Sequence, residues 1–84
     1  MRSDPRPDTA RLLARLLAGE IRLYNEEAVI AGRMREDLSA LSPLIETARA
    51  RYLARYAELD PGASLLRTEL ATLLAGGRKE LLPL

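Results

Sequence analysis

The chain of 84 residues contains no cysteine and no histidine. Without cysteine, disulfide bonds, thiolate catalysis and sulfur-ligated metals are excluded. Without histidine, the chain lacks the side chain that proteins use most often as a general base and as a metal ligand. We therefore expect no cofactor and no enzymatic activity.

Phenylalanine and tryptophan are also absent, and tyrosine occurs only three times. Leucine and alanine dominate the 48% of residues that are hydrophobic, which is typical of helices packed on helices. Residues with β-branched side chains are too scarce for a sheet. A chain of this length forms one domain and buries only about 60 to 65% of its unfolded surface, so a second subunit would help to stabilise it.

No sign of charge predominates, because 13 basic residues face 12 acidic ones. This balance argues against a dedicated binder of nucleic acid or of an anionic membrane. The start of the chain, MRSDPRPD, lacks the apolar segment of a signal peptide, and no apolar run reaches the roughly 18 residues of a membrane span. We expect a cytoplasmic protein that does not bind membranes.

The first periodic segment predicts a long helix that follows a polar arm. Residues 1–8 contain two prolines and are expected to be disordered. Asp8 or Thr9 then caps a helix over about 10–35, in which Gly19 is the expected site of a bend.

The second periodic segment has apolar residues in alternating steps of three and four, the spacing of a helix–helix seam. These residues are Leu38, Leu41, Ile45, Ala48, Tyr52 and Leu59, with Arg55 in the slot between the last two. With Ser42 as the cap and Pro43 as the first residue, the pattern predicts a helix over about 43–59. A start near Ser39, with a distorted first turn, is the alternative.

Asp60 and Pro61 repeat this pattern of cap and proline, and they predict a short third helix over about 62–75. The single domain then spans 9–76. The tail over 77–84 contains three leucines, which either pack on the helices or dock on a partner. Short connections make the first two helices an antiparallel hairpin, so the predicted fold is an all-α domain of three helices.

Apolar side chains fill about 180° of the first helix, although a stripe of about 100° is enough to pack against one neighbour. We therefore expect this helix to contact two partners, with a second subunit or a larger protein as a candidate for one of them. The predicted interface residues are Leu12, Leu16, Leu23 and Ile30 on one side, with Leu17, Ile21 and Tyr24 on the other.

Glu20 and Glu27 fall within this apolar arc. A carboxylate left unpaired in an apolar seam is strongly destabilising, so we expect both to form a polar network with the second helix. The predicted partners are Arg49, Tyr52 and Arg55. An arginine of a second copy of the chain is the alternative partner.

Charged residues suggest two alternative functions. Arg11, Arg15, Arg22 and Arg33 share one side of the first helix and form a candidate face for nucleic-acid phosphates, although Glu26 lies among them. A carboxylate-bridged metal site of the ferritin-like kind requires a Glu-x-x-His pattern, which a chain without histidine does not have.

The densest pattern lies in residues 21–33, which read IRLYNEEAVIAGR. With D-L at 37–38 and A-R-x-x-Y at 48–52, it resembles an uncharacterised family of bacterial helical proteins that share an I-x-L-Y-N-E-x-x-V-x-x-G-R core. The resemblance covers about residues 10–56 and implies a helical segment without an assigned activity. We therefore expect a non-catalytic interaction or oligomerisation module.

Overall fold

The computed structural model describes residues 6–83. All regular secondary structure in these residues is helical, and they contain no strand. The predicted all-α class is confirmed. No helix within this part of the chain is long and apolar enough to cross a membrane. The four helices are α1 (Arg6–Tyr24), α2 (Glu26–Arg35), α3 (Ser42–Tyr56) and α4 (Ser64–Ala75), and 3-10 turns at Ser39–Leu41 and Lys79–Leu81 precede α3 and follow α4.

The predicted single helix over 10–35 is divided at Asn25, so that prediction is wrong. Asn25 has φ of −137° and ψ of 37°, which are not helical values. Its side-chain amide donates a hydrogen bond of 3.0 Å to the carbonyl of Ile21, one turn earlier. Asparagine side chains compete with the backbone for such carbonyls, which explains why the helix stops here and not at Gly19, which lies inside α1.

The beginning of α1 also differs from the prediction. Residues 6–8, assigned to the disordered arm, are helical, and Pro7 occupies the second position, where a missing N–H is tolerated. Thr9 lies inside the helix, where its hydroxyl donates a hydrogen bond of 3.0 Å to the carbonyl of Arg6. Residues 1–5 of the predicted arm lie outside the described residues.

The beginning of α3 has features of both predicted starts, the one at Pro43 and the one near Ser39. The 3-10 turn at Ser39–Leu41 leads directly into α3, where Ser42 is the first residue and Pro43 the second. The Asp37 carboxylate accepts a hydrogen bond of 2.9 Å from the N–H of Ser39 and so holds the turn. The helix ends at Tyr56, three residues earlier than predicted.

The core lies where α1 packs on α4, its most extensive neighbour, and on α3. Arg6 and Tyr56 line one groove, and Tyr24 and Leu44 line another, so α3 runs antiparallel to α1. Small side chains are prominent on the buried faces of α1 and α4, and they allow the helices to approach closely. The buried residues of these three helices are Ala10, Ala14, Leu17, Ala18 and Ile21 on α1, Ile45, Ala48 and Tyr52 on α3, and Leu66, Leu70, Ala71, Leu74 and Ala75 on α4.

The C-terminal tail packs on the helices, which is one of its two predicted alternatives. Leu81 and Leu82 are buried, and the N–H of Leu38 donates a hydrogen bond of 3.2 Å to the carbonyl of Leu81. Leu81 and Leu82 therefore belong to the same hydrophobic core as the helices.

Candidate interaction surface

One side of α1 presents a row of leucines that nothing in the described chain covers. Leu12, Leu16 and Leu23 are 61%, 59% and 70% exposed, and Gly19 lies between them. A Cβ added at Gly19 would meet nothing within 4 Å. Steps of four, three and four residues place these positions in one line along a helix. We call the surface formed by Leu12, Leu16, Gly19 and Leu23 the outer face of α1.

The outer face points away from the core. At 100° per residue, its centre lies about 175° from the centre of the buried side of α1, so this helix is apolar on two opposite sides. An open depression of about 550 Å³ follows the outer face, and Tyr24, which is 77% exposed, lies at its end. A helix that packs on its own domain with one side thus presents a second apolar side to the solvent.

The two flanks of the outer face carry opposite charges. Arg11, Arg15 and Arg22 follow one flank and Glu20 lies on the other, as the helical periodicity requires. Arg15 Nε lies 3.6 Å from Glu69 Oε1 of α4, and the Arg15 side chain remains 61% exposed.

The seven predicted interface residues fall into two groups in the structure. Leu17 and Ile21 are buried, so their partners are the helices of their own domain. The other five are exposed on α1 and α2, and they are Leu12, Leu16, Leu23, Tyr24 and Ile30. Tyr24 was expected on the same side as the two buried residues, but it lies at the end of α1 where the core does not reach.

The predicted polar network does not form around Glu20 and Glu27. Glu20 Oε2 accepts a hydrogen bond of 3.3 Å from Arg51 Nη1, and not from Arg49 or Arg55. Glu27 is exposed on α2. The reason is the helical phase: the buried side of α1 is centred on its alanines, so Glu20 lies at the edge of the packed surface, within reach of water.

The buried polar cluster is built on Asp60, which sequence reasoning had considered only as a helix cap. Tyr52 donates its hydroxyl to Asp60 Oδ2 at 2.8 Å. The backbone N–H and the hydroxyl of Ser64 both donate to Oδ1 at 2.9 Å, and the N–H of Leu65 donates to Oδ2 at 2.9 Å. The cluster joins α3 to the first turn of α4, and each carboxylate oxygen is used as an acceptor. The sequence signal was the Asp-Pro-Gly turn just before the helix.

The surroundings of this cluster shift two pKa values in opposite directions. Burial by itself would raise the pKa of Asp60, but the N–H groups of Leu65 and Ser64 and the hydroxyls of Tyr52 and Ser64 outweigh it and lower the pKa. Burial, together with the hydrogen bond to the Asp60 carboxylate, raises the pKa of Tyr52 well above its usual value. Near neutral pH, the pair is therefore a carboxylate and an uncharged phenol.

The candidate nucleic-acid residues are divided between two places. Arg11, Arg15 and Arg22 are exposed along α1. The guanidinium of Arg33 lies beside the C-terminal end of α4, so close to Gly76 that a Cβ there would be 2.7 Å from Nη2. A cation is favourable at that end of a helix.

No group of three or more carboxylates that could hold a metal ion occurs in residues 6–83. Comparisons of the chain with protein-family models, curated proteins and solved structures found no match. The resemblance to a bacterial helical family therefore stays a prediction.

Proposed function

We propose that the protein is a non-catalytic helical interaction module that associates with itself, or docks on a larger protein, through the outer face of α1. The supporting observation is the row of three leucines, each 59 to 70% exposed, on a helix whose opposite side is already packed. A single exposed leucine is ordinary on a protein surface. A contiguous apolar row with charged flanks is typical of an interaction site.

The size of this surface is consistent with association that depends on concentration. Complete burial of a leucine side chain contributes about 1.5–3 kcal/mol. Scaled by their exposure, Leu12, Leu16 and Leu23 contribute about 1–2 kcal/mol each, or about 6–12 kcal/mol for two copies. Loss of translational and rotational freedom costs about 4–15 kcal/mol. The two ranges overlap, so we expect a reversible complex and not a permanent one.

The chemistry of the buried polar cluster supports a non-catalytic role. Asp60 uses both carboxylate oxygens to hold the first turn of α4 and the hydroxyl of Tyr52. The Ser64 hydroxyl donates to the same carboxylate. These groups stabilise the connection between α3 and α4, and their hydrogen bonds are made to one another.

Light scattering over a range of concentrations tests the proposal. We expect a mass that rises above the 9.3 kDa of a single chain. Leu16→Glu places a carboxylate in the middle of the outer face and should return the mass to that of a monomer, because an unpaired charge in an apolar contact is costly. Ala54→Glu adds the same charge at an exposed position of α3 and should leave the mass unchanged.

A mass of 9.3 kDa at every concentration would remove the self-associating form of the proposal. Equal masses for the Leu16→Glu and Ala54→Glu variants would show that association uses another surface. Retention on heparin that weakens steeply with salt, and that Arg15→Glu abolishes, would instead support the nucleic-acid alternative.

A further inference from the structure

The outer face of α1 has the spacing of a coiled-coil seam. Leu16 and Leu23 are seven residues apart and take the a positions, while Leu12 and Gly19 take the d positions. Arg15 then takes the g position and Glu20 the next e position. In two-stranded coiled coils, the charges at e and g determine which way the strands run.

The charges on the two flanks distinguish a parallel from an antiparallel pair. In a parallel pair, the g flank of one helix faces the e flank of the other, so Arg15 of each copy approaches Glu20 of its partner. In an antiparallel pair, the g flank of one helix faces the g flank of the other, so Arg15 would approach Arg22 of the other copy. Like charges at such close approach are unfavourable. The outer face is therefore complementary to itself in one orientation only.

We propose that two copies of this chain pair through α1 in parallel, with Leu12, Leu16, Gly19 and Leu23 in the seam and Arg15 of each copy bound to Glu20 of the other. This inference rests on the proposed function and adds the partner and its orientation. The packed domain leaves the seam accessible, because the buried side of α1 is centred about 175° from it and Leu12, Leu16 and Leu23 stay 59 to 70% exposed.

Both charged residues keep the capacity for a second partner. Arg15 approaches Glu69 with Nε, at 3.6 Å, and an arginine has five N–H groups in all. Glu20 accepts from Arg51 with Oε2, and its side chain is 42% exposed. A carboxylate accepts several hydrogen bonds, so Glu20 can bind Arg51 of its own copy and Arg15 of the partner together.

Single cysteines test the orientation, because the chain has no cysteine of its own. Leu12→Cys and Leu23→Cys each place two thiols face to face in a parallel pair, within the Cα separation of about 4–7 Å that a disulfide needs. In the antiparallel pair, Leu12 faces Leu23, and identical positions lie about 16 Å apart, since 11 residues rise 1.5 Å each.

Under mild oxidation, we expect each of these two variants to form a disulfide-linked dimer roughly tenfold faster than Ala54→Cys, an exposed control on α3, because pairing raises the local thiol concentration. If neither variant forms a disulfide-linked dimer alone, but a mixture of Leu12→Cys and Leu23→Cys chains does, the pairing is antiparallel. That result would overturn the parallel pairing and leave the proposed function standing. A monomer at every concentration would overturn both.

Charge reversal supplies a second, independent test. Arg15→Glu should raise the dissociation constant about three- to tenfold, since it turns two attractive contacts into repulsive ones. Adding Glu20→Arg to it should restore the affinity. Glu69→Gln, which removes the partner of Arg15 within the same copy, should leave the dissociation constant unchanged. Tighter association of the Arg15→Glu variant would indicate the antiparallel pair and overturn the inference.

Discussion

Replacement of Asp60 by alanine should destabilise this protein more than the loss of any exposed carboxylate. Asp60 is 9% exposed and accepts four hydrogen bonds of 2.8 to 2.9 Å, from Tyr52, from Leu65 and twice from Ser64. Asp60→Ala removes the acceptor of two backbone N–H groups at the start of α4. It also leaves the Tyr52 hydroxyl without its partner in a fully buried place.

Each part of this loss has a known size. The loss of an N-terminal cap costs about 0.5–2 kcal/mol. A buried hydroxyl left without its partner costs about 1–3 kcal/mol. Together they predict a decrease of about 1.5–5 kcal/mol in the free energy of unfolding. A domain of this length has a total of about 4–13 kcal/mol, so Asp60→Ala should bring the chain close to its limit of stability.

Urea unfolding followed by circular dichroism measures this loss, and Asp37→Ala is the matched control. Asp37 also accepts a backbone hydrogen bond, from Ser39 at 2.9 Å, but it is exposed. Its loss should cost much less than the loss of Asp60, because water can replace an exposed carboxylate as the acceptor. Asp60→Ala combined with Tyr52→Phe should cost less than the sum of the two single changes, since both remove the same hydrogen bond.

Equal losses for Asp60→Ala and Asp37→Ala would refute this reasoning, because burial and the number of hydrogen bonds would then have no effect. Additive losses in the double variant would show that Tyr52 and Asp60 do not interact in the folded protein.

Two further predictions concern pH and glycine. The lowered pKa of Asp60 adds stability that is present above its unfolded value of about 4 and is lost as pH falls. The raised pKa of Tyr52 adds stability that is complete below its unfolded value of about 10 and is lost as pH rises. The free energy of unfolding should therefore be constant between these two pH values and decrease at lower and at higher pH. Tyr52→Phe should reduce the decrease at alkaline pH. An unchanged decrease in this variant would contradict the assignment to Tyr52. Gly32→Ala should lower the free energy of unfolding by about 1–3 kcal/mol because its Cβ would overlap Leu38 Cδ2. Gly19→Ala meets nothing within 4 Å and should raise it by about 0.5–1 kcal/mol in the monomer. Thermal unfolding that ranks the two variants in the opposite order would contradict the close approach of Gly32 to Leu38.

The sequence alone determined the class of the fold and most of the seam formed by α3 and the 3-10 turn before it. The steps of three and four residues correctly marked Leu41, Ile45, Ala48 and Tyr52, all of which are buried. The reason is that α3 has one apolar side, so its periodicity leaves a single way to pack. The third helix was also visible, and α4 ends at Ala75 as predicted, because glycines follow it and the backbone at Gly76 takes the left-handed conformation that favours glycine.

Only the tertiary structure decided which side of α1 faces the core. The large leucines dominate its sequence pattern, yet the buried side contains Ala10, Ala14 and Ala18. Small side chains carry a weak periodic signal, but they allow another helix to approach closely, so packing selects them and leaves Leu16 and Leu23 on the outside. The same choice moved Glu20 to the edge of the packed surface. A helix that is apolar on two sides does not contain in its own sequence the information about which side the rest of the chain will cover.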